Sequence, residues 1–236
     1  SVFTGTTPQN HGIISNSWYN KFEEQYVYCV TDESVQPLGT VASARKMSPH
    51  RLLATTIADE NRLFTQMRGK TIGIALKDRG AVLPAGHTAN AAYWFHGQEE
   101  GKWISSTFYM EDLPNWVKDF NISGTALSYM KPWDAIQDLN SYLESGIDEN
   151  LFEGGFIGKE TATFPYDLKA LGKQNGNYDL LKATPYGNSL TTDFAIAAIK
   201  GEELGKDEFT DFLTVSFSST DYVGHNFGVN SKEIED

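Results

Sequence analysis

Asp221 and His225 stand four residues apart, directly after an apolar run that reads as a strand. In open α/β sheets ligands bind beyond the carboxyl ends of the strands, so both side chains fall where a ligand is held. A carboxylate and an imidazole form a suitable donor pair for a divalent metal such as Zn²⁺. Gly224 would let the backbone turn closely around it. The alternative is an aspartate capping a turn beside a surface histidine. Two donors do not complete a zinc site, so further ligands must come from elsewhere.

Lys77 and Arg79 form a second pair. Read as the extended continuation of a strand over Lys70–Leu76, they share one face, with the small Gly73 and Ala75 behind them. Ile72, Ile74 and Leu76 then take the other face. Arg presents a planar fork that engages two phosphate oxygens and Lys a point charge, which suits the dianion of a phosphate monoester. The alternative is a solvated turn with Asp78 as internal counterion. Asn16 adds a side-chain amide able to donate to a developing phosphoryl or carbonyl oxygen, or else is a turn asparagine. His11 and His87 read as turn or packing histidines. The sequence has no G-x-x-x-x-G-K-[ST], H-E-x-x-H or G-x-S-x-G motif.

The elements that must position these groups alternate between strand and helix. Residues 1–20, rich in Thr, Gly, Asn and Pro, read mainly as loop. Phe22–Val30 is a strand candidate, and Pro49 opens a helix reaching about Gln66. Lys70–Leu76 is a strand. Ala91–His96 and Trp103–Tyr109 make a hairpin turned at Gly97–Gly101. Leu113–Phe120 is a short helix, Ser189–Leu204 an amphipathic one, and Phe209–Ser218 an alternating strand. This order predicts an α/β fold, a mostly parallel sheet flanked by helices. An irregular insertion covers about 80–185 of a single domain over 1–236. The aromatics Trp94, Phe95, Trp103, Tyr109 and Trp116 read as core before binding platform.

Composition sets limits. With 31 acidic and 19 basic residues the net charge is −12, so no cationic surplus exists to displace counterions from nucleic acid or to dock on an anionic membrane. An anionic substrate has to be held by local cations against that field. No apolar run is long enough to span a bilayer. The single cysteine, Cys29, lies in the apolar run Tyr26–Val30 and reads as a buried strand thiol. The chain begins at Ser1 without methionine and reads as lacking segments at both ends.

Several segments taken together resemble the alkaline phosphatase superfamily. The first is Ser1-Val2-Phe3-Thr4-Gly5-Thr6-Thr7-Pro8 through His11-Gly12-Ile13, with Asn16 and Trp18. The second is Leu76-Lys77-Asp78-Arg79-Gly80 through His87, followed by Ala91–Phe95. Thr184–Asn188 with Thr191-Thr192-Asp193, and Ser219-Thr220-Asp221 to His225, complete the set. The closest branch is the periplasmic bacterial one with a threonine nucleophile, kin to the nucleotide pyrophosphatase/phosphodiesterases. The resemblance implies phosphate monoester hydrolysis with two zinc ions and a phospho-threonine intermediate. It implies that Asp221 and His225 are ligands of one zinc and that Asn16, Lys77 and Arg79 hold phosphoryl oxygens. It also implies a small-molecule phosphate ester as substrate and a periplasmic or secreted location. The nucleophile and the remaining zinc ligands of that family have no counterpart in residues 1–236. The isolated chain is therefore expected to be inactive without N- and C-terminal segments of the same protein. A phosphodiesterase or nucleotide pyrophosphatase, and a non-catalytic carbohydrate- or protein-binding module, are the alternatives.

Overall fold

The computed structural model describes residues 1–236. In chain order the elements are α1 (Pro8–His11), β1 (Ser17–Asn20), β2 (Gln25–Tyr28), β3 (Pro37–Leu38), α2 (Ile57–Phe64), β4 (Thr71–Ala75), α3 (Asp78–Ala85), β5 (Ala91–His96) and β6 (Lys102–Ser106). There follow α4 (Asn115–Ile122), α5 (Thr125–Ser128), β7 (Pro132–Trp133), β8 (Tyr166–Asp167), α6 (Leu168–Leu171), α7 (Pro185–Gly201), β9 (Phe212–Ser216), α8 (Ser219–Phe227) and α9 (Lys232–Glu235). Short 3₁₀ turns lie at Leu139–Ser141, Gly172–Gln174 and Asn177–Ala183. The chain divides into two compact units. The first holds residues 1–95, 103–119 and 194–216, the second 96–102, 120–193 and 217–236.

The first unit is built on a five-stranded sheet of order β3-β6-β5-β4-β9. Strand β4 pairs in parallel with β5 and with β9, and β3 pairs antiparallel with β6. The sheet is therefore mixed, with parallel pairing on both sides of β4. All five residues of β4 are buried, as suits a central strand covered on both faces. On one face lies α3, and Ala75, Ala81, Val82, Ala85, Ala92 and Trp94 pack together. The approach is close because Gly73 has no side chain: a Cβ there would lie 2.2 Å from the Ala81 carbonyl oxygen. On the other face Phe194 stacks on Trp103 at 4.3 Å and meets Tyr93 edge-on at 5.5 Å. Trp94, Phe95 and Trp103 are all buried, as expected of core aromatics. Helix α2 starts at a capping box in which Thr56 Oγ1 accepts from the Asp59 N–H. The buried Asp59 also accepts from the backbone and hydroxyl of Thr88, tying α2 to the segment after α3.

The second unit centres on an aromatic cluster of Trp133, Phe156, Phe164, Tyr166 and Phe227. The end of the chain is fastened into it. Asp236 accepts from Trp133 Nε1 at 3.0 Å and from the Tyr142 hydroxyl at 2.6 Å, and Glu233 accepts from the Tyr166 hydroxyl.

Strand β4, the β5–β6 hairpin, α4, α7 and β9 fall where the sequence places them, with ends shifted by a few residues. Four local expectations are corrected. The strand expected over Phe22–Val30 is present but shorter, as β2, and it pairs antiparallel with β1, so part of the expected loop at 1–20 is helix and strand. The helix expected from Pro49 begins only at Ile57, because Thr56 and Asp59 supply the cap that Pro49 lacks. The extended face expected through Lys77 and Arg79 stops at Lys77: β4 ends at Ala75 and α3 starts at Asp78. Asp221 and His225 lie within a helix, α8, where a turn was expected.

Candidate active site

The β4–α3 junction carries the two cations. Lys77 has extended torsions (φ −97°, ψ 130°) and forms the N-cap position of α3, and its carbonyl accepts from the Gly80 N–H. Arg79 is the second residue of the helix, half-buried. The small residues of β4 therefore make room for a helix and not for a ligand. Gly80 completes this fit, since a Cβ there would meet Ala75 Cβ at 3.1 Å and Ser216 Oγ at 3.3 Å. Because β4 and β9 run parallel in register from Thr71↔Phe212 to Ala75↔Ser216, Lys77 leaves the sheet at its carboxyl edge.

Arg79 is held by a residue the sequence did not single out. Its Nη1 donates to the Tyr28 hydroxyl oxygen at 3.1 Å, and that hydroxyl donates to Asp78 Oδ1 at 2.5 Å. The same carboxylate oxygen accepts the Arg79 backbone N–H at 2.6 Å. Asp78 makes no direct ion pair with Arg79; its carboxylate reaches the guanidinium through the Tyr28 hydroxyl. Burial works against the Arg79 charge, but the hydrogen bond to Tyr28 and the nearby negative groups outweigh it and raise the pKa. Tyr28 is held well above the usual tyrosine range, first by burial and then by Asp78. Cys29, the next residue, is buried, and its thiol is pushed up to about 11 by burial and the Asp78 field, an inert structural thiol. No sequence signal marks Tyr28, because its partners lie 50 and 51 positions along the chain.

Asn16 sits just before β1 with an exposed side chain. Its carbonyl accepts from the Cys29 N–H at 2.9 Å, which links it to the strand end that carries Tyr28. His11 is buried, with Nε2 3.1 Å from Ser1 Oγ and Nδ1 accepting from the Ile13 N–H, a packing histidine as expected. A concavity of about 930 Å³ borders β2 and includes Tyr26, Tyr28, Arg45 and Arg51 among its walls, but not Asn16, Lys77 or Arg79.

In the second unit, α8 presents Asp221 and His225 on one face. Ser219, Val223 and Phe227, spaced by four, are its buried side. The other side carries Asp221 and His225, whose side chains are 54% and 80% exposed. Asn188 Oδ1 accepts the Ser219 N–H and caps the helix from outside. Asp221 Oδ1 and His225 Nε2 lie 3.5 Å apart. Donors about 2.0–2.1 Å from a tetrahedral zinc stand about 3.4 Å from each other, so the pair fits two corners of such a site. Among all residues, no three His, Cys, Asp or Glu side chains gather to hold a metal. Gly224 makes no turn. It is helical, and a Cβ there would touch Ile234 Cδ1 at an ordinary 3.5 Å.

The structure thus joins Arg79, Asp78 and Tyr28, with Asn16 tied in through Cys29, within the first unit. It joins Asp221 to His225 within the second.

A sequence profile of the type I phosphodiesterase / nucleotide pyrophosphatase family matches residues 1–236. A Myroides odoratus protein named calcium-transporting ATPase is 49% identical across all of this chain, which covers 43% of it. Alkaline phosphatase PhoV of Synechococcus elongatus is 46% identical, again across the whole chain and 42% of that protein. The crystal structure of wild-type alkaline phosphatase PafA superposes with a TM-score of 0.94 at 46% identity, over 99% of this chain and 45% of that one. A second PafA structure, with the same TM-score, is of a variant replaced at a threonine, an asparagine, and a lysine and arginine two positions apart. This chain spans less than half the length of these relatives. Matched from its first residue to its last, it belongs to the type I phosphodiesterase / nucleotide pyrophosphatase family.

Proposed function

We propose that this chain forms part of a zinc-dependent phosphatase that hydrolyses small phosphate monoesters. The observation that carries it is Arg79, half-buried at the start of α3, with one guanidinium nitrogen bonded to Tyr28 and no carboxylate paired to it. A guanidinium fixed at one corner keeps its other N–H groups for a planar oxyanion. Lys77, two positions earlier, adds a second cation, and Asn16 an amide donor. Together they supply the local positive field that a chain of net charge −12 needs to hold a dianion. The PafA variant was altered at an asparagine and at a lysine-arginine pair. Their spacing closely follows Asn16, Lys77 and Arg79, which supports the same roles in this chain.

Asp221 and His225 are the zinc ligands in this reading. The metal, when bound, supplies Lewis-acid stabilisation of developing negative charge and a nucleophile activated near neutral pH. The second ion of a two-zinc centre and the threonine nucleophile belong, in this reading, to segments beyond these residues. A periplasmic or secreted location follows from the same reading. The Myroides relative is named as an ion pump. No helix of this chain is long and apolar enough to cross a membrane, and the proposal follows the phosphatase relatives.

The test uses a full-length enzyme containing this chain, zinc-loaded, on an aryl phosphate monoester and the matching diester. Arg79→Ala is expected to lower kcat/KM for the monoester about 10²–10³-fold, the usual loss for one transition-state donor, with a smaller effect on the diester. A wild-type preference for the diester supports the second reading, a phosphodiesterase or nucleotide pyrophosphatase, which the family profile favours. Trp94, Phe95 and Trp103 are buried, so these three are not presented as a carbohydrate-binding platform.

A further inference from the structure

Two consecutive residues at the end of β2 reach both of the segments that bear phosphate-binding candidates in the first unit. The Cys29 N–H holds the Asn16 carbonyl at 2.9 Å, and the Tyr28 hydroxyl lies between Arg79 and Asp78. We propose that Tyr28 is a positioning residue for phosphate recognition, which clamps the Arg79 guanidinium and keeps the Asp78 carboxylate from pairing with it directly. The inference rests on the reading of Arg79 as a phosphate ligand.

Asp78 is the acid adjacent to Arg79 in the chain, and an unrestrained carboxylate there would pair with the guanidinium directly. Its Oδ1 instead accepts the Tyr28 hydroxyl at 2.5 Å and the Arg79 backbone N–H at 2.6 Å. The tyrosine spends its single proton on Asp78 and uses an oxygen lone pair for Arg79 Nη1. Hydrogen bonds in such a chain strengthen one another, since a proton drawn toward the carboxylate leaves the hydroxyl oxygen a better acceptor. Tyr28 keeps that proton at alkaline pH because burial and Asp78 both raise its pKa. The clamp uses one of the five guanidinium donors and leaves an edge for two phosphate oxygens. The ring has its own supports: it packs against the cluster that contains Cys29 and Val30, and the Arg45 guanidinium lies 5.7 Å from its centroid. Phenylalanine preserves that packing and removes only the hydroxyl.

Loss of the hydroxyl has two effects in one direction. Arg79 loses its tether, and Asp78 becomes free to turn toward it and compete with substrate. In the full-length enzyme, Tyr28→Phe is expected to lower kcat/KM for an aryl phosphate monoester about tenfold to a hundredfold. Inhibition by inorganic phosphate should weaken by a similar factor. The diester, with one negative charge fewer, should change less, and the melting temperature little. The effect should vanish when Arg79 is already alanine, and Asp78→Asn should restore part of the rate lost in Tyr28→Phe. Equal losses from Tyr28→Phe with and without Arg79 overturn the inference, because the hydroxyl then acts independently of the guanidinium. An unchanged monoester rate in Tyr28→Phe, alongside a large loss in Arg79→Ala, overturns it while leaving the function of Arg79 intact. No loss in Arg79→Ala overturns both.

Discussion

Replacing Gly73 with alanine tests whether the tight seating of α3 sets the position of Arg79. The new Cβ would lie 2.2 Å from the Ala81 carbonyl oxygen, where ordinary contacts begin at 3.4 Å, so the two must separate by about 1.2 Å. The atom struck is helix backbone, so no side-chain rotation relieves the clash, and α3 has to move as a body away from β4. Ala81 is two residues beyond Arg79, in the same turn, and the guanidinium moves with it. Overpacking of this kind costs about 1–3 kcal/mol, or about 2–12 °C in melting temperature for a chain of this size. A displacement of about 1 Å at a reacting centre can cost on the order of 10²-fold in rate. Gly73→Ala should therefore show both a lower Tm by calorimetry and a monoester kcat/KM reduced by about two decades. Ala81→Gly should rescue neither, since it leaves the carbonyl in place. A variant with wild-type Tm and a rate within twofold of wild type would refute the coupling between β4 packing and Arg79.

Gly224→Ala is the converse case. The position is helical with room beside Ile234, so the substitution should stabilise α8 by about 0.5–1 kcal/mol, seen as a raised Tm, and should leave zinc stoichiometry unchanged. A loss of zinc would show that Gly224 is needed for close backbone approach. In the second unit, Glu153 is raised from its usual value to about 7 by burial and by the charges of Glu233 and Asp148. Each of these three residues has a buried carboxylate oxygen without a hydrogen-bond partner. A group with a raised folded pKa holds its proton longer in the native state, so its stabilising contribution is complete below about 4.5 and lost as pH rises through about 7. Calorimetry of this chain should show Tm falling from pH 5 to 7, and Glu153→Gln should flatten that slope. A rising Tm over this interval would contradict the cluster.

What the sequence revealed follows from where the deciding contacts lie. Strand β4 and the β5–β6 hairpin were legible because apolar runs with flanking turn residues specify them locally. Helix α3 was not, because Lys77-Asp78-Arg79 reads as an extended strand end or a turn, and Gly80 and Pro84 are poor helix formers. Gly80 is demanded by the approach of Ala75 and Ser216, and Pro84, in the last turn, forgoes the bond an N–H there would make to the Gly80 carbonyl. In α8 the fourfold spacing of Ser219, Val223 and Phe227 was present in the sequence, but it is short, and Gly224 within it is a weak helix former. The polar residues Asn16, Lys77, Arg79, Asp221 and His225 could be picked out by type and spacing. The hydroxyl that restrains Arg79 could not, since only tertiary folding brings Tyr28 to a partner 51 positions away.

The pairing of β4 with β9 has a consequence for how the chain is made. Lys70, just before β4, donates its backbone N–H to Asp211, just before β9, across 141 positions of sequence. At about 5–20 residues per second, a ribosome delivers β9 about 7–28 s after β4. Helix α3 and the hairpin β5–β6 follow β4 closely, so one flank and one face of the strand are covered early. The other edge, on a strand with every residue apolar or small enough to be buried, stays open while residues 120–193 are synthesised. Strand pairing across such a sequence distance is slow, and an open edge recruits other chains. The yield of folded protein should therefore depend on how fast residues 120–193 are translated, although none of them belongs to that sheet.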